Sequence, residues 1–168
     1  TALQLAQAYA VIASGGIQRP ISFTKVTGPV PGKRILDEKI ARAIIPMMET
    51  VVTQEGTALR AAVPGYRIAG KTGTAHKAQG GGYASDAYMS LFVGMAPASA
   101  PRVVTAIIID NPRQGGYYGG LAAAPVFSRM MSDTLRLMNI EPDRSAERLA
   151  EQHRFPHPST WARPGREG

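Results

Sequence analysis

The sequence predicts a mixed α/β domain of the α+β kind, an antiparallel sheet flanked by helices. Three runs suited to strands, at residues 66–75, 88–96 and 102–110, are separated by turns bearing Gly and Pro, which makes antiparallel neighbours of them. Stretches of helical period precede and follow these runs, at residues 1–14, 38–54 and 121–138. The 168 residues suit one domain, and 44% hydrophobic content is enough to bury a core.

Each element has its own signal. Leu3, Leu5, Ala6, Tyr9, Ala10 and Ile12 form an apolar stripe closed by Gly15 and Gly16, which predicts one helix. Residues 17–26 are rich in β-branched side chains and interrupted by Pro20, which suggests an edge strand before the Gly28-Pro29 and Pro31-Gly32 turns. Asp37 reads as the N-cap of a helix carrying Ile40, Ala41, Ile44, Ile45, Met48, Val51 and Val52, kinked or split at Pro46 and ended by Gly56. The run at 102–110 is apolar enough to be expected buried on both faces. Val126, Phe127, Met130, Met131 and Leu135 predict a closing helix with Pro125 in its first turn. Residues 1–140 are taken as the folded part, and 141–168, rich in Pro and charge, as a mobile tail.

Composition narrows the function. The net charge is +7, and because the tail holds five Arg against five acidic residues, the whole excess lies in residues 1–140. No Lys/Arg cluster interleaved with aromatics accompanies it, so a nucleic-acid partner is not expected. There are no cysteines, which removes disulfides, thiol nucleophiles and Cys-based zinc sites. Neither a membrane span nor a signal peptide is visible. The sequence opens on Thr1, already inside a helical pattern, and a fragment is expected.

Three motifs compete. Residues 65–72, Gly-Tyr-Arg-Ile-Ala-Gly-Lys-Thr, satisfy the phosphate-loop pattern, and Ile107-Ile108-Ile109-Asp110 imitates a magnesium-holding strand. That chemistry needs a loop curling into a helix N-terminus. Here Ala61-Ala62-Val63-Pro64 is a poor strand, while Gly73 and Gly80-Gly81-Gly82 oppose a helix opening at Lys71, so a nucleotide hydrolase is the lesser alternative. Ser22-Phe23-Thr24-Lys25 matches a Ser-x-x-Lys nucleophile, but after Pro20 it should be extended, with Ser and Lys on opposite faces.

Lys71-Thr72-Gly73-Thr74 is the Lys-Thr-Gly element of serine acyl-transfer enzymes, and an extended conformation suits it. Lys71 and Gly73 alternate onto one face, Thr72 and Thr74 onto the other. An ammonium group there can stabilise an anionic substrate, the two hydroxyls can donate to a carboxylate, and Gly73 admits close approach of a peptide to an edge strand.

The flanks add a resemblance. Residues 1–16, TALQLAQAYAVIASGG, then Ile68-Ala69-Gly70-Lys71-Thr72-Gly73-Thr74-Ala75, Phe92-Val93-Gly94-Met95-Ala96-Pro97, Pro101-Arg102, Gly116-Tyr117-Tyr118-Gly119-Gly120 and Ala124-Pro125-Val126-Phe127 resemble the division-specific class B penicillin-binding proteins, the FtsI type. The likeness covers roughly residues 1–140 and implies the C-terminal half of a penicillin-binding protein / β-lactamase-like fold, whose sheet has five antiparallel strands. It implies peptidoglycan cross-linking through a serine acyl-enzyme, acylation by β-lactams, and no cofactor or metal. A D,D-carboxypeptidase of the same fold is the alternative, differing only in the acceptor.

By motif, Lys71 would hold the electrostatics of the site, Thr72 and Thr74 would bind the substrate carboxylate, the Thr74 N–H would be an oxyanion donor, and Tyr117 and Tyr118 would wall the bound side chain. His76 falls where the family places a basic residue; an imidazole there would make carboxylate binding weakly pH-dependent. The family's Ser-x-x-Lys lies far upstream of Lys-Thr-Gly, and no Ser-x-Asn occurs here. The resemblance therefore implies an N-terminal remainder supplying both motifs, a membrane anchor placing the site on the periplasmic face of the inner membrane, and divisome partners. The fragment alone is expected to be inert.

Overall fold

The computed structural model describes residues 1–79, 82–113 and 116–144. Its elements run α1 (Ala2–Ala13), β1 (Ile17–Gln18), β2 (Lys33–Arg34), α2 (Glu38–Glu49), β3 (Ala69–Gln79), β4 (Gly82–Ala96), β5 (Val103–Asp110) and α3 (Gly119–Leu137). The strands β3, β4 and β5 form one antiparallel sheet in that order, and β1 pairs with β2 in a small separate ribbon.

Local chemistry explains the helix ends. At the start of α1 a capping box satisfies two end groups: the Thr1 hydroxyl accepts the Gln4 N–H, and the Gln4 side chain reaches back to the Thr1 backbone. Gly15 and Gly16, at φ 70° and 93°, then turn the chain, and the Gly16 N–H closes on the Val11 carbonyl at 2.7 Å. Asp37 caps α2 by accepting the Lys39 N–H at 2.8 Å. That helix is not split at Pro46; it runs through to Glu49 and tightens into a 3-10 turn at Thr50–Val52. Pro125 likewise lies in the second turn of α3 rather than the first, because the helix already begins at Gly119.

The strands also differ from the sequence pattern. Only Ile17–Gln18 of the expected 17–26 strand pairs, since Pro20 has no N–H to donate and the Ser22 hydroxyl ties both the carbonyl and the N–H of Thr24 into a turn. The strand predicted at 66–75 starts three residues later and continues to Gln79, because Val63 and Tyr66 close a tight turn of their own. Strand β5 is not buried on both faces: Ile107 is buried, but Ile108 and Asp110 face solvent. Within the described residues β5 is an edge, and its apolar run is half covered because α1 and α2 reach only the end of that face near Val104.

Two apolar layers sandwich the sheet. On one face Phe127, Met131 and Leu135 of α3 pack on Ile68, Phe92, Ala96 and Ile107, with the Phe92 and Phe127 rings edge to face at 4.7 Å. On the other, Tyr9, Ile12 and Ala13 of α1 and Ile44, Ile45 and Met48 of α2 cover Ala69, Met95 and Val104.

The last described residues, 140–144, are pinned to the foot of β3. The Asp143 carboxylate accepts the N–H groups of Arg67 and Ser99, the Tyr66 hydroxyl donates to the Ile140 carbonyl, and the Arg144 N–H bonds to the Gly65 carbonyl. Arg67 also forms a two-pronged pair with Glu49 at 2.8 and 2.7 Å, and that hydrogen bonding raises the guanidinium pKa further. Residues 141–144 of the expected tail thus lie against the domain, and 145–168 lie outside the described residues.

Phe127→Ala should cost about 3–5 kcal/mol, since a fully buried ring leaves a cavity, whereas Met130→Ala on the exposed side of the same helix should cost under about 0.5 kcal/mol. Urea-unfolding midpoints of the two variants check this, and similar losses in both would show that α3 does not pack as described.

Candidate active site

The site begins with the free edge of β3. The Asn111 N–H bonds to the Tyr88 carbonyl at 2.8 Å, so Tyr88 directs its main-chain polar groups toward β5, and by alternation Ser90 and Phe92 do the same. Met89, Leu91 and Val93 then point toward β3, where their partners are Ala75, Gly73 and Lys71. The residues in between, Thr72 and Thr74, therefore turn their N–H and C=O groups outward, to an edge that no strand covers among the described residues. This arrangement excludes a phosphate loop: Gly70, Lys71 and Thr72 are strand residues, and no helix opens at Lys71.

Side chains alternate as the motif requires. A Cβ on Gly73 would fall 2.1 Å from Leu91 Cδ1, whereas one on Gly70 would meet Phe92 at 2.4 Å, so Lys71 and Gly73 share the α1/α2 face while Thr72 and Thr74 share the α3 face. Within the chain, the bareness of Gly73 makes room for Leu91. The Lys71 ammonium is exposed and donates to the Thr72 carbonyl at 3.0 Å. It has no carboxylate partner among the described residues, unlike Lys77, which pairs with Asp110 at 2.7 Å. A cation held at a strand edge without a counter-ion is suited to receiving an anion.

On the α3 face the hydroxyls and rings gather. Thr74 Oγ1 accepts the Gly119 N–H at 3.1 Å, and Thr72 Oγ1 lies 3.0 Å from Thr57 Oγ1. Gly119 is the first residue of α3, so an unsatisfied N–H at the positive end of a helix backs the Thr74 hydroxyl and leaves its proton for another acceptor. Tyr117 stacks on Tyr88 with centroids 4.0 Å apart and planes at 14°, Tyr118 lies 4.5 Å from Tyr117, and His76 lies 4.6 Å from Tyr88. The Tyr117 carbonyl is held by the buried Ser90 hydroxyl. Tyr118 shares a hydrogen bond with Tyr117, and this, with repulsion between the two phenolates, pushes its pKa above the usual phenol value.

Of the sequence-predicted residues, Lys71, Thr72, Gly73, Thr74 and His76 follow one another along β3; Tyr117 and Tyr118 join the face of Thr72 and Thr74 through Tyr88 and Gly119, while Lys71 and Gly73 lie on the opposite face. Sequence reasoning missed Tyr88, Ser90, Thr57 and Gly119. Tyr88 enters through its register with His76, which precedes an irregularity between His76 and Ala78, so no local pattern marks it. Gly119 was visible only as one of a Gly pair; besides its N–H bond to Thr74 it is required sterically, since a Cβ there would fall 2.3 Å from the Leu91 carbonyl oxygen and 2.7 Å from that of Gly73.

The described residues form a three-layer α/β domain with a Lys-Thr-Gly-Thr edge strand, and comparison with known proteins places it in a family. The model of the penicillin binding protein transpeptidase domain matches residues 1–132, so the chain belongs to that family. It is 50% identical over 143 residues to the peptidoglycan D,D-transpeptidase FtsI of Escherichia coli K12, covering 85% of this chain and 24% of that protein. It is 47% identical over 154 residues to the probable peptidoglycan D,D-transpeptidase PbpC of Pseudomonas aeruginosa, covering 92% of this chain and 27% of that one. The apo transpeptidase domain of Burkholderia pseudomallei penicillin-binding protein 3 superposes with a TM-score of 0.79 at 44% identity, covering 84% of this chain and 44% of that chain. The chain spans about a quarter of the length of these two curated relatives.

Gly119→Ala should lower stability by about 1–3 kcal/mol, because backbone on both strands blocks the added methyl, while Tyr118→Ala, at an exposed position, should leave the thermal midpoint within a degree or two. Differential scanning calorimetry checks the pair; a neutral Gly119→Ala would mean that α3 does not abut the strands.

Proposed function

We propose that this chain is the C-terminal part of the catalytic domain of a septal peptidoglycan D,D-transpeptidase, which cross-links stem peptides through a serine acyl-enzyme and is acylated by β-lactams. The observation that carries the reading is the Lys-Thr-Gly-Thr edge: one ammonium without a counter-ion among the described residues, two hydroxyls on one face and an outward N–H at Thr74. An extended peptide can lie along such an edge by strand addition. The Thr74 N–H then serves as one oxyanion donor, of a kind worth about 3 kcal/mol in a transition state. Thr72 and Thr74 hold the terminal carboxylate, and the Tyr117/Tyr118 wall, extended by Tyr88, bounds the side chain.

The nucleophilic Ser-x-x-Lys and the Ser-x-Asn come from an N-terminal remainder of the same protein, and the fragment by itself is inactive. No described helix is long and apolar enough to cross a membrane; anchorage, placement on the periplasmic face of the inner membrane, and contacts with divisome proteins are carried over from the FtsI-type relatives.

Covalent labelling of the full-length protein by a fluorescent penicillin should fall at least about a hundredfold in Lys71→Ala, and unchanged labelling would refute the reading. Supplied with a stem pentapeptide and an acceptor amine, the wild type should form the cross-linked dimer; release of D-Ala with no dimer would make it a carboxypeptidase. As the basic side chain that follows the motif strand opposite Tyr88, His76 aids carboxylate binding, so His76→Gln should lower the acylation rate constant. An unchanged rate constant in His76→Gln removes His76 from the site.

A further inference from the structure

Thr57 lies outside the strand and outside the motif, on the loop between the 3-10 turns at Thr50–Val52 and Leu59–Ala61. The loop is fixed from two sides. Its next residue, Ala58, is buried and donates to the Val51 carbonyl at 2.9 Å. On the other side the Thr57 carbonyl oxygen sits directly under α3, where a Cβ on Gly120 would fall 1.9 Å from it. Gly56 is equally constrained, since a Cβ there would meet the Val51 and Thr50 carbonyl oxygens at 2.3 and 2.4 Å. The Thr57 hydroxyl is thus presented by rigid backbone at the point where it meets Thr72 Oγ1, 3.0 Å away.

A hydroxyl has one proton to give and two lone pairs. In a touching pair one proton is spent between the partners and the other is left to donate outward. An anion beside Thr72 selects the order in which Thr57 donates to Thr72 and Thr72 donates to the anion, because a charged acceptor makes the stronger bond and each bond in the chain polarises the next. The neighbouring Thr74 hydroxyl is arranged in the same way, with the Gly119 N–H behind it.

We propose that Thr57 is a positioning residue for the substrate carboxylate, acting through Thr72 by holding its hydroxyl as a donor. The inference rests on the reading above that Thr72 binds the carboxylate. It makes Thr57 and Gly119 parallel devices, a side-chain donor behind one threonine and a main-chain donor behind the other.

The test is a double-mutant cycle on the full-length protein, with the second-order rate constant for acylation by benzylpenicillin as the readout and the thermal midpoint as a control. Thr57→Val should lower the rate constant by about three- to tenfold, the scale of one hydrogen bond, and Thr57→Ser should restore it. Adding Thr57→Val to Thr72→Val should cost nothing further, since Thr57 acts only through Thr72. If Thr72→Val is impaired and Thr57→Val is not, the positioning role falls while the carboxylate reading stands. Fully additive losses, or a loss in Thr57→Val that Thr57→Ser does not repair, would also overturn it. If Thr72→Val acylates like the wild type, the carboxylate reading itself fails, and the inference with it.

Discussion

The close crossing of the first turn of α3 over β3 and β4 is the contact on which the rest of the site depends. It is possible only because Gly119 has no side chain where the Leu91 and Gly73 carbonyls press in, and Gly120 none where the Thr57 carbonyl does. From that crossing follow the N–H aimed at Thr74, the position of Tyr117 and Tyr118 just ahead of the helix, and the clamping of the loop that carries Thr57. The Phe92–Phe127 contact anchors the same helix further along, so apolar packing and site geometry are set by one rigid body.

Much of this could be read from the residues. The helices at the start and end, the Asp37 cap and the three antiparallel strands all follow from period and punctuation, and the extended state of Lys71-Thr72-Gly73-Thr74 decides between two motifs that share letters. Strand β3 lies at the sheet's margin, as peptide addition needs. What local pattern could not supply was pairing. That Tyr88 stands opposite His76, or that Thr57 meets Thr72 across a separation of fifteen residues, depends on register and on how α3 settles. Proline ends neither helix: α2 passes Pro46 unsplit and α3 holds Pro125 one turn later than expected, because packing of each helix on the sheet outweighs the loss of one backbone bond. In residues 17–26, by contrast, β-branched composition without a partner strand yields a Ser-stabilised turn.

The uneven cover of the sheet has a simple physical origin. The α3 face is closed by a long helix, while the α1/α2 face is covered mainly at its lower end, around Ala69, Met95 and Val104, leaving Ile108 and Asp110 open. The Lys71 side chain leaves β3 on this same side.

The clasp at Asp143 fixes the place of the last described residues. It grips Arg67 and Ser99, at the foot of the sheet, whereas Thr74 lies five residues beyond Ala69, where β3 begins, a rise of roughly 17 Å. Arg144 therefore sits at the pole away from the Thr74 hydroxyl, which makes it a convenient point at which to attach a dye, affinity handle or tether to the folded domain.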